Sequence, residues 1–194
     1  AKLIHASTGS VYGESVRLQD ESHPLNPVSN YGVSKMAGEK YVAMICPDAA
    51  ILRYFHVYCD YQESKDGFGG VLAIWLRRIK EGLPIALYGD GTQVRSFTYV
   101  GDVVKANILA AEKGVGVYNV ASGYNYTLNQ VIYLLQQNFE GVQIDELAWQ
   151  PGDIKEFNVC SEKIKKLGLE FMTLEEGLKL MNEYQLNPAY NGKA

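Results

Sequence analysis

Short runs typical of β-strands alternate along the sequence with segments of helical periodicity. The strand-like runs cover residues 3–6, 50–58, 85–88 and 116–121, and the helical segments cover 30–45, 71–80, 102–113, 127–138 and 173–184. This alternation is typical of α/β proteins whose sheet is largely parallel. We therefore predict an α/β fold, and we expect ligand-binding groups at the carboxyl ends of its strands.

Composition narrows the class of protein. Hydrophobic residues make up 47% and charged residues 21% of the 194 residues, a balance that argues against a disordered chain. The net charge of −4, without a basic block, predicts no nucleic-acid partner. No apolar run approaches the roughly 20 residues of a membrane span, so we expect none. Three distant cysteines predict no metal site and a reducing compartment, the cytoplasm.

Tyr31 and Lys35 are the first candidates for chemistry. They stand four residues apart at the start of a predicted helix and should share one face of it. A tyrosine hydroxyl, with an ordinary pKa near 10, is a poor base at neutral pH unless a nearby cation stabilises the phenolate. Thr8 lies in the small-residue turn at the end of the first strand, where its hydroxyl could bind the same substrate oxygen as Tyr31. The same spacing at Tyr61 and Lys65 precedes a glycine-rich stretch that disfavours a helix, so we attribute it to chance.

Five motifs follow one another in a recognisable order. They are Ala6-Ser7-Thr8 with Val11-Tyr12-Gly13, Tyr31-Gly32-Val33-Ser34-Lys35, Leu52-Arg53-Tyr54-Phe55, Tyr88-Gly89-Asp90-Gly91 with Arg95-Ser96-Phe97, and Tyr118-Asn119-Val120. In these motifs the sequence resembles the extended short-chain dehydrogenase/reductase family, in particular its NAD-dependent nucleotide-sugar epimerases and dehydratases. The resemblance extends over nearly the whole chain.

The resemblance implies a fold and a domain organisation. Residues 1–62 would form the second half of a Rossmann-type catalytic domain. Residues 63–194 would be mainly a smaller α/β region that binds the nucleotide-sugar, with 97–121 returning to the Rossmann-type sheet. The family's glycine-rich fingerprint should lie well upstream of Thr8, whereas the chain starts seven residues before it. We therefore expect this chain to be the downstream part of a longer protein and to bind NAD weakly or not at all by itself.

The resemblance also implies roles for the catalytic residues. Tyr31 would take a proton from a sugar hydroxyl while NAD accepts a hydride. Lys35 would stabilise the phenolate and hold the nicotinamide ribose, and Thr8 would be the hydroxyl partner. Phe55 would line the nicotinamide pocket. No metal is implied. Helix 30–45 resembles one that pairs family members, which implies a homodimer.

The nucleotide-sugar would be bound by other residues that match family motifs. Its base would be read by the backbone of Ala86, Leu87 and Tyr88, and its diphosphate would be bound by Arg95, whose fork suits phosphate. Asp153 and Thr8 would also contact the substrate, and so would His56, which replaces the family's asparagine. Gln150 stands where the family commonly has an arginine, so one partner of the diphosphate is missing.

The residues after Thr8 separate subclasses of the family. Sugar 4,6-dehydratases carry an acidic residue two positions after this threonine, whereas Gly9 and Ser10 follow it here. The sequence therefore favours a 4-epimerase acting on a UDP-, dTDP- or GDP-linked sugar. Two alternatives remain open: a nucleotide-sugar reductase or dehydratase of the same family, or a truncated, non-catalytic fragment that binds nucleotide-sugar.

Overall fold

The computed structural model describes residues 1–59, 70–149, 155 and 157–186. The helices within these ranges are α1 (Asn30–Ile45), α2 (Val71–Lys80), α3 (Val100–Lys113), α4 (Leu128–Asn138), α5 (Glu162–Lys165) and α6 (Leu174–Leu186). The strands are β1 (Ile4–Thr8), β2 (Ser15–Gln19), β3 (Ala50–Tyr54), β4 (Val57–Tyr58), β5 (Ile85–Tyr88), β6 (Val94–Ser96), β7 (Thr98–Tyr99), β8 (Gly116–Val120), β9 (Asn125–Thr127), β10 (Ile144–Leu147) and β11 (Phe157–Val159).

Three strands form a parallel sheet in the order β1-β3-β8. Thr8 lies opposite Tyr54, which in turn lies opposite Val120, so the carboxyl ends of all three strands are level. The predicted α/β class with a parallel sheet is confirmed. Because the strand ends are level, the segments that leave them meet at one edge, where such sheets bind their ligands.

Helices α1 and α3 cover opposite faces of this sheet. Ala50 and Leu52 share an apolar cluster with Val103 and Ala106 of α3, whereas the side chain of Arg53 reaches α1 on the other face. From β1 to β3 and again from β3 to β8 the chain moves across the sheet in the same direction. Since α1 and α3 lie on opposite faces, these two connections have opposite handedness. One of them therefore departs from the right-handed rule for parallel strands.

A second apolar core forms where the elements between β4 and β7 pack against elements that follow β8. Its buried side chains come from α2, β5, α4 and α6 and include Leu72, Trp75, Ile85, Leu135 and Leu178. Trp75 Nε1 also donates to the carbonyl oxygen of Ala86 at 2.9 Å, which ties α2 to β5. Among the described residues, no helix has the length and apolarity to cross a membrane.

Two sequence-based expectations were wrong in detail. The apolar run 50–58 forms two strands, β3 and β4, because His56 has a φ of 35°, which no strand accommodates. Residues 14–28, for which the sequence predicts neither a helix nor a strand, contain β2, which pairs with β11 in parallel. By contrast, α1 has the predicted bounds and is capped by Ser29, whose hydroxyl accepts from the Gly32 N–H at 3.1 Å.

Candidate active site

Tyr31 and Lys35 lie together beside the end of β1. Lys35 Nζ donates to the carbonyl oxygen of Ala6 at 3.0 Å and stands 6.0 Å from the centroid of the Tyr31 ring. Tyr31 is 55% exposed, so a ligand can reach it. The prediction that the two side chains share one face of α1 is confirmed, and that face meets the carboxyl edge of the sheet.

Thr8 holds the turn that follows β1. Its Oγ1 accepts from the Ser10 N–H and donates to Ser10 Oγ, each at 3.2 Å. Helix α1 begins directly against this turn, since a Cβ on Gly32 would lie 2.7 Å from the Ser10 carbonyl oxygen. A glycine next to Tyr31 therefore lets the start of α1 approach the turn that Thr8 caps.

Phe55 lies beneath the same turn. Its side chain is 2% exposed, and its ring lies 6.3 Å from that of Tyr12. A Cβ on Gly9 would come within 2.3 Å of the Phe55 ring, so only glycine fits above it. Phe55 supports the Thr8 turn from below, and its contact with a nicotinamide ring stays a prediction.

His56 adopts a backbone conformation that is uncommon for residues other than glycine. Its φ of 35° lies in the left-handed region, which asparagine, aspartate and histidine enter more readily than most residues. The ring lies 5.8 Å from that of Phe97, and Nδ1 is 3.3 Å from the carbonyl oxygen of Ser96. Strain of this kind persists where surrounding contacts impose it and is concentrated at functional sites.

The electrostatics of His56 set its protonation state. Burial and the nearby charge of Arg95 lower its pKa from 6.5 to about 3, although the hydrogen bond to Ser96 opposes them. His56 is therefore neutral near pH 7. Since the carbonyl of Ser96 can only accept, Nδ1 carries the proton, and Nε2 is the nitrogen that can accept a hydrogen bond.

Arg95 lies on β6 and is 8% exposed. Its Nη1 donates to the carbonyl oxygen of Val94 at 2.8 Å and to that of Lys155 at 3.3 Å. Its charge helps to lower the pKa of His56, so these two predicted substrate-binding residues lie near each other. The hydrogen bond between His56 and Ser96 connects the end of β3 to β6.

The predicted base-reading segment, Ala86 to Tyr88, forms strand β5. Among the described residues β5 has one partner strand, β10, and hence one unpaired edge. The carbonyl of Ala86 accepts from Trp75, and that of Tyr88 accepts from Gln93 Nε2 at 2.6 Å. The backbone of β5 is thus held by side chains on the edge that faces away from β10. Asp153, the other predicted nucleotide contact, and Gln150 lie outside the described residues.

A buried polar network beneath the site was not predicted from the sequence. Ser7, Glu39, Arg53, Tyr12 and Asn119 are joined in that order by side-chain hydrogen bonds, and each is at most 4% exposed. Burial raises the pKa of Tyr12, which the bonds to Arg53 and Asn119 offset only in part. The signal that could have indicated this network is Arg53 itself, a charged residue inside an apolar strand.

Comparison with known proteins identifies the family. The sequence model of the NAD dependent epimerase/dehydratase family matches residues 1–121, more than half of the chain. The chain belongs to this family. The predicted resemblance to extended short-chain dehydrogenases/reductases is thereby confirmed.

Individual members of the epimerase/dehydratase family resemble the chain over almost its full length. A putative UDP-glucose 4-epimerase of Methanocaldococcus jannaschii is 34% identical over 96% of the chain and 63% of the relative. The structure of UDP-N-acetylglucosamine 4-epimerase from Methanobrevibacter ruminantium superposes with a TM-score of 0.88, at 31% identity, over 95% of the chain and 63% of that protein. UDP-glucose 4-epimerase of Thermus thermophilus, solved with NAD, gives 0.85 at 30% identity over 100% of the chain and 65% of that protein. The chain thus spans less than two thirds of each.

The partly buried, neutral His56 predicts a specific dependence of stability on pH. The pKa of this histidine is about 3 in the folded state and about 6.5 in the unfolded state, so its contribution to the free energy of unfolding is complete above pH 6.5. As the pH falls from 6.5 toward 3 this contribution is lost, by roughly 3 kcal/mol at pH 4. His56→Asn, which tolerates the same backbone conformation, should lose correspondingly less. Urea unfolding at pH 7.5 and pH 4 measures the difference, and equal losses in both proteins would contradict this account of His56.

Proposed function

We propose that the protein containing this chain is an NAD-dependent nucleotide-sugar 4-epimerase, with Tyr31 as its acid–base residue. The observation that carries the proposal is the placement of Tyr31 and Lys35. The two side chains lie against each other at the carboxyl edge of the sheet, beside the Thr8 turn, with Tyr31 exposed. A phenol beside an ammonium, open to a ligand, suits reversible proton transfer to a sugar hydroxyl.

The described residues fit the nicotinamide end of NAD. An ammonium has three N–H donors, and Lys35 uses one of them to bind the carbonyl oxygen of Ala6. The others can bind ribose hydroxyls next to Tyr31. NAD, when bound, supplies the acceptor and then the donor of the hydride at sugar C4. The glycine-rich turn that would bind the pyrophosphate is not among these 194 residues.

The chain's own residues handle the proton. Tyr31 as phenolate removes the proton from the C4 hydroxyl, and Lys35 stabilises the phenolate both before and after. The hydroxyl of Thr8 binds the same oxygen and orients it for transfer. After the keto sugar has rotated in the site, hydride returns to the opposite face of C4 and Tyr31 returns the proton to the oxygen. The hydroxyl then has the opposite configuration at C4.

The residues next to Thr8 favour epimerisation over dehydration. Elimination of water needs an acid for the departing hydroxyl, and the turn offers Gly9 and Ser10. The Ser10 hydroxyl accepts a hydrogen bond from Thr8 and does not replace a carboxyl group as an acid. A reductase remains the alternative, since dTDP-4-dehydro-6-deoxyglucose reductase of Escherichia coli is 30% identical over 77% of the chain. Product analysis with UDP-, dTDP- and GDP-sugars separates these activities.

The nucleotide-sugar would lie between β5 and the end of β3. We propose that the backbone of β5, at Ala86 to Tyr88, reads the base and that Arg95 binds the diphosphate. His56, beside Arg95, would then face the sugar with Nε2 as an acceptor for a hydroxyl. Asp153 completes the proposed set. Residues 1–62 and 97–121 would form the Rossmann-type part, and the rest would mainly form the substrate-binding region. The protein would be located in the cytoplasm.

A homodimer is part of the proposal. The solvent face of α1 carries large apolar side chains, with Tyr41 66%, Met44 80% and Ile45 74% exposed. Apolar patches on a helix face mark association sites when they are contiguous. A second copy of the same helix is the partner that we propose.

Tyr31→Phe in the full-length natural protein should abolish turnover and leave NAD affinity nearly unchanged. The substitution removes the hydroxyl that moves the proton and keeps the ring. Turnover is measured with the sugar substrate and affinity by NAD titration. Tyr133→Phe, a change at an exposed tyrosine of α4, is the control. Substantial turnover by Tyr31→Phe would overturn the acid–base assignment.

Arg95→Ala should weaken nucleotide-sugar binding by roughly 2 kcal/mol or more, about 30-fold in Kd, if it leaves a desolvated diphosphate without its partner. Calorimetric titration with the nucleoside diphosphate measures this loss, and thermal unfolding checks that the variant is folded. The control is Arg77→Ala, which removes a surface arginine paired with Glu81. Equal affinity in Arg95→Ala and the native protein would rule out the diphosphate role.

Ile45→Glu should convert the dimer into monomers, because a charge would be buried in the paired helices. Light scattering coupled to size exclusion gives the mass. Tyr133→Glu places the same charge on α4, at a residue 61% exposed, and should leave the dimer intact. A native protein that is already monomeric, or a variant that stays dimeric, would exclude α1 as the interface.

A further inference from the structure

Helix α1 is held to the sheet with very little apolar burial. Of its 16 residues only Gly32 and Glu39 are buried. A surface helix normally fixes its rotation by burying an apolar stripe. On the sheet side of α1, Met36 packs only partly buried against the cluster around Phe55. Glycine also makes a close contact there, since a Cβ on Gly38 would stand 3.3 Å from the ring of His5. Apolar packing alone therefore defines the rotation of α1 weakly.

Polar side chains provide what apolar packing does not. Lys35 reaches the carbonyl of Ala6, and Glu39, one turn further along, accepts from Ser7 of the same strand. Residues four apart on a helix lie on one face. The face that carries the Tyr31–Lys35 pair is thus attached to β1 through two successive turns.

The strongest of these attachments is an ion pair between Glu39 and Arg53. Arg53 Nε donates to Glu39 Oε1 at 2.9 Å and Nη2 donates to Oε2 at 2.6 Å, and both side chains are 4% exposed. Two parallel N–H···O bonds between a planar fork and a carboxylate restrict rotation as well as distance. The pair connects the middle of α1 to β3.

Arg53 is itself fixed from the other side. Its Nη1 donates to Tyr12 Oη at 2.6 Å, and Tyr12 donates to Asn119 Oδ1 of β8 at 2.7 Å. Asn119 Nδ2 donates in turn to the carbonyl oxygens of Gln19 and Cys160, each at 3.0 Å. Glu39 is therefore joined to all three strands and to the segment after β1.

We propose that Glu39 and Arg53 are positioning residues: their ion pair sets the rotation of α1 and so holds Tyr31 and Lys35 at the end of β1. The inference rests on the proposed function of Tyr31. A rotation of about 10° moves a side-chain tip at the 5–6 Å outer radius of a helix by about 1 Å. A misplacement of about 1 Å costs on the order of 10²-fold in rate.

Stability and positioning can be separated experimentally. Replacing a buried ion pair by apolar residues of similar volume is often neutral for stability, whereas removing one partner leaves a buried charge. The double variant Glu39→Met/Arg53→Met is therefore the informative one. It removes the fork without leaving either charge unpaired.

In the full-length protein, we expect this double variant to unfold at nearly the native temperature and to lose about 10²-fold in kcat. The KM for the nucleotide-sugar should stay within about threefold, because Arg95 and β5 are untouched. The acid limb of the kcat–pH profile should move to higher pH, since Lys35 would stabilise the phenolate less well. A kcat within threefold of native, or a loss of kcat with an unchanged pH profile, would overturn the positioning role.

The matched control is Asp102→Asn. Asp102 is 1% exposed and anchors α3, on the opposite face of the sheet, by accepting from the Met172 N–H at 2.7 Å. It should lower the unfolding temperature and leave kcat and its pH profile native; a similar loss of kcat would show a general effect of weakening a helix anchor and would count against the proposal. Tyr31→Phe distinguishes the two levels. If it is inactive while the double variant is fully active, only the positioning role fails, whereas an active Tyr31→Phe removes the proposed function itself.

Discussion

Parallel pairing of β1, β3 and β8 is the constraint on which the candidate site depends. Backbone hydrogen bonding in register brings Thr8, Tyr54 and Val120 to one level, so every segment that leaves the sheet starts from the same edge. The Thr8 turn, the strained His56 and the start of α1 all lie at or beside that edge. These groups are far apart in sequence, and the pairing of the strands brings them together in space.

Polar contacts then determine how the edge is arranged in detail. The second core, around Trp75 and Leu135, is a conventional apolar cluster, but α1 is attached to its sheet through Lys35, Glu39 and glycine. Buried ion pairs contribute little net stability in general, yet they fix geometry when the hydrogen bonds are bidentate. The two faces of the sheet differ accordingly. The face toward α1 carries the charged side chain of Arg53, whereas Ala50 and Leu52 form an apolar face toward α3.

Much of this arrangement could be predicted from the sequence, and the reasons are local. The Ser29 cap and Pro47 delimit α1, and the four-residue spacing places Lys35 next to Tyr31. The break at His56 could not be predicted, because an apolar run carries no sign of one residue's φ. Glu39, Arg53 and Asn119 are far apart in sequence, and only the folded sheet pairs them. Their individual residue types show that they need partners but do not say which.

The order of the elements along the chain has a consequence for how the proposed substrate site can open and close. The described elements alternate between the sheet and the second core, with five crossings: after β3, before α3, after β8, before β11 and before α6. The first two crossings are also joined by the β4–β7 pairing, in which Val57 lies opposite Thr98. Two bodies joined by several chain segments cannot rotate as they would about a single linker. Ligand exchange is therefore expected to rely on side chains and short loops rather than on a hinge motion between the two bodies.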